Sequence, residues 1–377
     1  MRSTRFLAVA AATLALVAGA CSSDSKSAAT TSAAATSAVT TAVVETTAET
    51  TAAPAPTEPV TTQPGITEAP DTTETAEATE TTEPPETSEP PETIGAPDTT
   101  EAVLSAPFPT QTVEQSFVDA SRPTPATASS PEVASRTIAT TIVYPQAPGP
   151  FPLIVLNHGL TGMPSKLSRI STAWAAAGYV VAMPAFPLTN GSVLDASANV
   201  GDVVNQPGDV SFVIDSVLAL NGDDSSPLFG RVDAEHIGVA GHSLGSATTY
   251  AVALNGCCLD ERIDAIVIMA GFVFIAADND YSRALPVMIL HGDADPVLNI
   301  SLDQGVYDQL AGPKWFVTLF GGMHSTGFED YNTPHDAVVD RATTDFWNAY
   351  LSDRQGATDA LRADAVVAGL STLQTSE

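Results

Sequence analysis

Positive charge is scarce in this chain: 14 Lys and Arg stand against 44 Asp and Glu among 377 residues, a formal net charge of −30. Recognition of a polyanion rests on Lys and Arg neutralising its phosphates, so nucleic acid is excluded as an expected partner. Cysteine is scarcer still. Cys21, Cys257 and Cys258 are too few for a disulfide scaffold and lack the paired spacing of a zinc site. That spacing gives no reason to expect a zinc ion, and no other metal or organic cofactor is expected. Aromatic side chains make up 6% of the chain, and none occurs between Phe6 and Phe108. The apolar stretch Phe6 to Val17 is also too short for a membrane span, which takes about 20 residues.

What the N-terminus does have is an export pattern. Met1-Arg2-Ser3-Thr4-Arg5 is a basic start, the apolar stretch follows, and Ala18-Gly19-Ala20 places small residues before Cys21. The arrangement resembles a bacterial lipoprotein signal. That resemblance implies removal of residues 1–20, acylation of Cys21, and anchoring by the lipid on the outer face of the cell membrane. A cleaved, freely secreted protein is the alternative. Residues 21–105 are built from Thr, Ala, Glu, Pro and Ser, with 15 acids and one base (Lys26) between Ser22 and Glu101. Proline blocks regular backbone hydrogen bonding, and so little apolar surface cannot offset an ordering cost of about 1–2 kcal/mol per residue. A disordered acidic linker is expected there, extended by its own charge.

Residues 106–377 read as one α/β domain. Strand-length apolar runs (136–144, 153–157, 179–183, 236–240, 265–269, 287–291 and 315–320) alternate with helix-like stretches (166–177, 207–220, 244–254, 302–310 and 337–351). Runs such as Leu153-Ile154-Val155-Leu156 are apolar on consecutive positions and must be covered on both faces, which predicts a mostly parallel sheet between helices. Ligands collect at the carboxyl ends of such strands.

At one such end stands Gly241-His242-Ser243-Leu244-Gly245, a G-x-S-x-G pattern between a strand and a helix. A turn that tight needs tiny residues two before and two after the serine, and it leaves the Ser243 hydroxyl exposed at a helix N-terminus. A serine needs a base held by a third group. Of six histidines, His324 in Phe320-Gly321-Gly322-Met323-His324 follows the last expected strand, and the glycines let its loop fold back over the sheet. His158 and His291 also follow strands, on loops with other duties. Asp293 and Asp295 both lie at the end of strand 287–291; Asp295 is preferred as the orienting acid, with Asp293 as a turn-capping rival. The order Ser243, Asp295, His324 is that of α/β-hydrolases.

With Phe117-Val118-Asp119-Ala120-Ser121-Arg122-Pro123 and Pro152 to Gly159, these residues make the stretch from Val113 to Leu351 resemble the α/β-hydrolase superfamily, in particular its dienelactone-hydrolase and platelet-activating-factor-acetylhydrolase-like esterases. The resemblance implies an α/β-hydrolase fold, carboxylic ester hydrolysis through an acyl-enzyme, and an oxyanion hole made by the backbone N–H groups of Leu160 and Leu244. Ser246 stands where many relatives carry glycine. The stretch from Gly271 to Pro286 is too short for a large lid, so an open site for short esters or a polyester is expected; Phe186, Leu188, Phe272, Phe274 and Phe328 lie near strand ends, where each is more often core than a wall of that site. A peptidase or amidase on the same fold, or a binding protein on an inactive one, are the alternatives. A monomer is expected. With Cys21 acylated, Cys257 and Cys258 outside the cytoplasm have only each other as intrachain partners, and a disulfide between them stands against two free thiols.

Overall fold

The computed structural model describes residues 106–275 and 277–376. The expected signal segment, Cys21 and the acidic linker lie outside the described residues. Among the described residues nine strands form one sheet: β1 (Thr110–Asp119), β2 (Arg136–Pro145), β3 (Phe151–Asn157), β4 (Val180–Ala185), β5 (Val232–His242), β6 (Ile263–Met269), β7 (Val287–Gly292), β8 (Lys314–Leu319) and β9 (Ser371–Ser376). Their spatial order is β1-β2-β4-β3-β5-β6-β7-β8-β9. The six strands from β4 to β8 run parallel, while β1, β2 and β9 pair antiparallel at the two edges.

The parallel strands are the consecutive apolar runs of the sequence, and both their faces are buried. Helices α1 (Ser168–Ala177), α2 (Gln206–Asn221), α3 (Leu244–Leu254), α4 (Ser301–Gln309), α5 (Asp336–Tyr350) and α6 (Ala357–Asp364) supply the cover. On one face Val210, Val213, Ile214 and Val217 of α2, Tyr250 of α3 and Val306 of α4 pack on alternate strand residues such as Val155, Val239 and Ile268. On the other, Trp174 of α1, Phe346 and Trp347 of α5 and Leu361 of α6 pack on Ile154, Ala240 and Val267. Two separate apolar clusters divided by a sheet are what an α/β-hydrolase fold requires.

Helix α1 is shorter than expected, because Pro164–Leu167 forms a separate 3₁₀ turn before Ser168. Gly178 ends it at φ 107°, a left-handed conformation that costs glycine little. Strands β1 and β9 and helix α6 were not expected from the sequence. β1 exposes polar residues along one face and contributes Val113 and Phe117 to the core, so its apolar signal is thin. A further 3₁₀ segment, Ala196–Asn205, occupies the crossover from β4 to α2. It is tied to β2 by a fully buried guanidinium: Arg136 donates to both Asp202 and Asp209, in each case through two nitrogens. Desolvating three charges is costly, so the set is tolerated only because each charge is met by hydrogen bonds.

Candidate active site

The site is built at the carboxyl ends of β3, β5, β7 and β8. Ser243 joins β5 to α3 with φ 55° and ψ −116°, a conformation that residues other than glycine avoid. The bend brings backbone against backbone. A Cβ on Gly241 would lie 2.2 Å from the Gly245 carbonyl oxygen, and a Cβ on Gly245 would lie 2.3 Å from that of Asn157. The turn is stitched to β6: the Ser243 N–H donates to the Met269 carbonyl (3.0 Å). The Ser246 hydroxyl donates to the Gly241 carbonyl (2.5 Å) and accepts from the Met269 N–H (3.2 Å). Ser246 therefore ties the elbow to its neighbour rather than merely filling space.

The Ser243 hydroxyl lies 2.8 Å from His324 Nε2, and His324 Nδ1 donates to Asp295 Oδ2 at 2.7 Å. The loop carrying His324 leaves β8 through Gly321, at φ 67°, and Gly322, whose backbone passes so near β7 that a Cβ on Gly292 would sit 2.1 Å from the Gly322 oxygen. Of the two candidate acids, Asp293 points the other way and accepts the Gly321 N–H (2.6 Å). It caps the turn. The other oxygen of Asp295 accepts the N–H groups of Val297 (2.7 Å) and Leu298 (3.0 Å), so the loop that follows it fixes the carboxylate. Burial works against charge on Asp295, but hydrogen bonds from His291 and His324 outweigh it and hold the carboxyl well below its usual range.

The loop after β3 lies on the elbow, since a Cβ on Gly159 would be 3.1 Å from the Ser243 Cβ. Thr161 N–H is taken by the Thr189 carbonyl and Gly162 N–H by that of Gly159. The Leu160 amide has no partner among the described residues, and Leu244, as the first residue of α3, has no carbonyl one helical turn back. The side chains of Leu160 and Leu244 join Ala247, Phe272, Phe274 and Leu298, with Val200 and Val203 from the 3₁₀ crossover, in a small apolar cluster beside Ser243. Of the five side chains considered as core or pocket wall, Phe272 and Phe274 are found there. Phe186 is fully buried against the His158 ring, and Phe328 is fully buried against His242. Leu188 is buried on the β4 crossover. The crossover's contribution was missed because Ala196–Asn205 is a 3₁₀ segment without strand or α-helical periodicity.

Three more histidines serve the site. His158 Nδ1 donates to the Gly159 carbonyl (2.7 Å) and Nε2 accepts the Phe186 N–H (3.1 Å), so the ring pins the Leu160 loop to the end of β4. Burial pushes its pKa down to about 4 and keeps it neutral. His242 Nε2 donates to the His324 carbonyl (2.9 Å), holding the backbone of the base. Burial, with the neighbouring His324, lowers its pKa to about 3, so the 3.7 Å approach of Glu329 to its Nδ1 is not an ion pair. His291, the third, lies behind Asp295. A disulfide joins Cys257 to Cys258, their Cα atoms 3.8 Å apart, after α3. Among the described residues no group of three His, Cys, Asp or Glu side chains is arranged to hold a metal ion.

Residues 97–338 match the model of the PETase family, described as PET hydrolase-like. The chain belongs to this PET hydrolase-like family. It is also similar to the cutinase est2 of Thermobifida alba, at 23% identity over 189 residues, 49% of this chain and 56% of that one. The chain thus spans little more than half the length of that curated relative. A solved ferulic acid esterase of Streptomyces cinnamoneus superposes with a TM-score of 0.52 at 21% identity, over 67% of this chain and 93% of that one, a likeness of fold. The PET hydrolase-like match includes β1 through the start of α5, and with them Ser243, Asp295 and His324.

Proposed function

We propose that the protein hydrolyses carboxylic esters through an acyl-enzyme on Ser243. The observation that carries this reading is the unbroken chain from the Ser243 hydroxyl to His324 (2.8 Å) to Asp295 (2.7 Å), set on a strained elbow. With Nδ1–H held by Asp295, His324 presents the lone pair of Nε2 to the serine proton. His324 takes that proton as Oγ attacks the ester carbonyl. The negative charge then develops on the carbonyl oxygen beside the free N–H groups of Leu160 and Leu244, and one such donor is worth about 2.7–4 kcal/mol. The alcohol leaves with the proton from His324. A water deprotonated by the same ring releases the acid.

The apolar cluster around Phe272 and Phe274 suits an acyl or aromatic group. Among the described residues no helix intervenes between β6 and β7, and Val297 and Met323, next to the triad loops, are about half exposed. An open apolar border favours short esters and the surface of a polyester over a buried long chain. The N-terminal sequence supports the further reading that the enzyme is exported and held by a lipid on Cys21 at the outer face of the cell membrane. The test is turnover of p-nitrophenyl esters of graded acyl length and of a polyester film. Activity abolished by Ser243→Ala supports the reading. No turnover, together with no labelling by a fluorophosphonate, refutes it and leaves the fold as a binding surface.

A further inference from the structure

Asp295 is gripped from two sides. His324 reaches Oδ2 from the substrate side, and His291, the fifth residue of β7, approaches the same oxygen from within the protein, with Nε2 at 3.3 Å. That nitrogen also lies 3.1 Å from the Leu298 carbonyl, and Nδ1 lies 2.7 Å from Asp303 Oδ2 on α4. Every partner of the His291 ring is an oxygen acceptor. A neutral imidazole has one N–H and would turn a bare lone pair toward one set of these oxygens, so the surroundings suit a ring that donates from both nitrogens. Asp303 is equipped to balance it. Its carboxyl group is fully buried and accepts from the Tyr250 hydroxyl at Oδ1 (2.9 Å) and from the Gly271 N–H at Oδ2 (2.7 Å), the oxygen that faces the ring. The charged and titratable groups around His291 are therefore Asp303 on α4 and Asp295 on the following loop. Beyond them lie Tyr250 on α3 and His324 on the β8–α5 loop.

Resting on the ester-hydrolase reading, we propose that His291 is a positioning residue: as a doubly protonated ring between Asp303 and Asp295 it holds the triad acid from behind and sets how strongly that acid supports His324. The geometry gives it two effects. It fixes the Asp295 carboxylate, whose two oxygens are then fully engaged by His324, His291 and the Val297 and Leu298 amides. It also places a positive charge near Asp295, which weakens the pull of the carboxylate on the proton that His324 takes up in catalysis. Burial opposes charge on His291, but hydrogen bonds to Asp295 and Asp303 override it and push the pKa up to about 9, in agreement with the contacts.

Nitrogen-15 NMR of the full chain with labelled histidine tests the protonation without any variant. The expected result is a His291 ring protonated on both nitrogens at neutral pH, losing one proton near pH 9. A His291 ring with one bare nitrogen at neutral pH overturns the proposal. His291→Gln, which can donate from one end but carries no charge, tests the consequence. The acid limb of its kcat/KM profile should move up by about half a pH unit or more, with kcat down on the order of tenfold and KM within about twofold. An acid limb that does not move in a variant with wild-type circular dichroism overturns the proposal, since a merely structural role would lower activity at every pH alike. If His291→Gln does not fold, the wild-type spectrum decides alone. Failure of the ester-hydrolase reading would show separately, as a wild-type chain inert to esters and to fluorophosphonate, while the His291 spectrum is still read.

Discussion

Replacing Gly245 by alanine probes the steric logic of the elbow. The added Cβ would lie 2.3 Å from the Asn157 oxygen, 2.7 Å from its carbonyl carbon and 2.8 Å from the His158 oxygen, against an ordinary contact of 3.4–4 Å. The overlap is about 1 Å, and every atom it meets is backbone, so no rotamer can relieve it. Either α3 must retreat or the end of β3 must move, and these two segments carry Ser243 and the Leu160 amide. A displacement of about 1 Å costs on the order of 10²-fold in rate, and overpacking of this kind costs about 1–3 kcal/mol. The expected result is a kcat/KM toward p-nitrophenyl acetate reduced about a hundredfold, with a Tm lower by about 2–4 °C per kcal/mol lost. Gly305→Ala is the control. It lies on the exposed side of α4 with nothing within 4 Å of the new carbon, so alanine should leave activity unchanged and stabilise by about 0.5–1 kcal/mol. A folded Gly245→Ala enzyme within about twofold of wild-type kcat/KM would refute the reasoning, as would an equal loss in Gly305→Ala.

Asp295→Asn should lower kcat by about 10³–10⁴-fold by spoiling the tautomer and hold of His324, whereas Asp293→Asn should stay within about tenfold; equal losses in steady-state assays would reverse the choice of acid. Stability should peak near pH 6.5. His158 and His242 have folded pKa values near 4 and 3, below the unfolded value of about 6.5, so the unfolded chain binds their protons first and stability falls as pH drops from 6.5 toward 3. His291 has a raised folded value near 9, so its contribution is complete below about pH 6.5 and is lost as pH rises to 9. Urea melts from pH 4 to pH 9 check both limbs, and a midpoint that climbs steadily above pH 7 would contradict the second.

Much of the site was legible from short stretches of chain. Consecutive apolar residues at 153–156 and 266–269 require cover on both faces, and that requirement alone yields parallel strands with helices on either side. The small residues at 241 and 245 announce a turn in which nothing larger fits, and the Gly-Gly pair before His324 announces a loop free to fold back. These are effects of neighbours in sequence. The edge strands β1 and β9 escaped because an antiparallel edge keeps one face in water and needs few apolar residues to form. Whether Phe186 and Phe328 were core or pocket wall stayed open in the sequence, because a strand-end aromatic points to core or cleft according to what packs on it, here the rings of His158 and His242.

The central strands, the candidate nucleophile and its candidate base were thus legible in local sterics and hydrophobic patterning, which act over a few residues, whereas the order of the strands in the sheet was not. The fate of each histidine was decided only in three dimensions. Whether an imidazole is neutral, as His158 and His242 are, or charged, as His291 is, depends on its burial and on the donors and acceptors that distant segments bring to it. Asp303 reaches His291 from α4, the His324 carbonyl reaches His242 from 82 residues away, and Phe186 reaches His158 from 28. Electrostatic environment is a property of assembled neighbours, and no spacing along the chain encodes it.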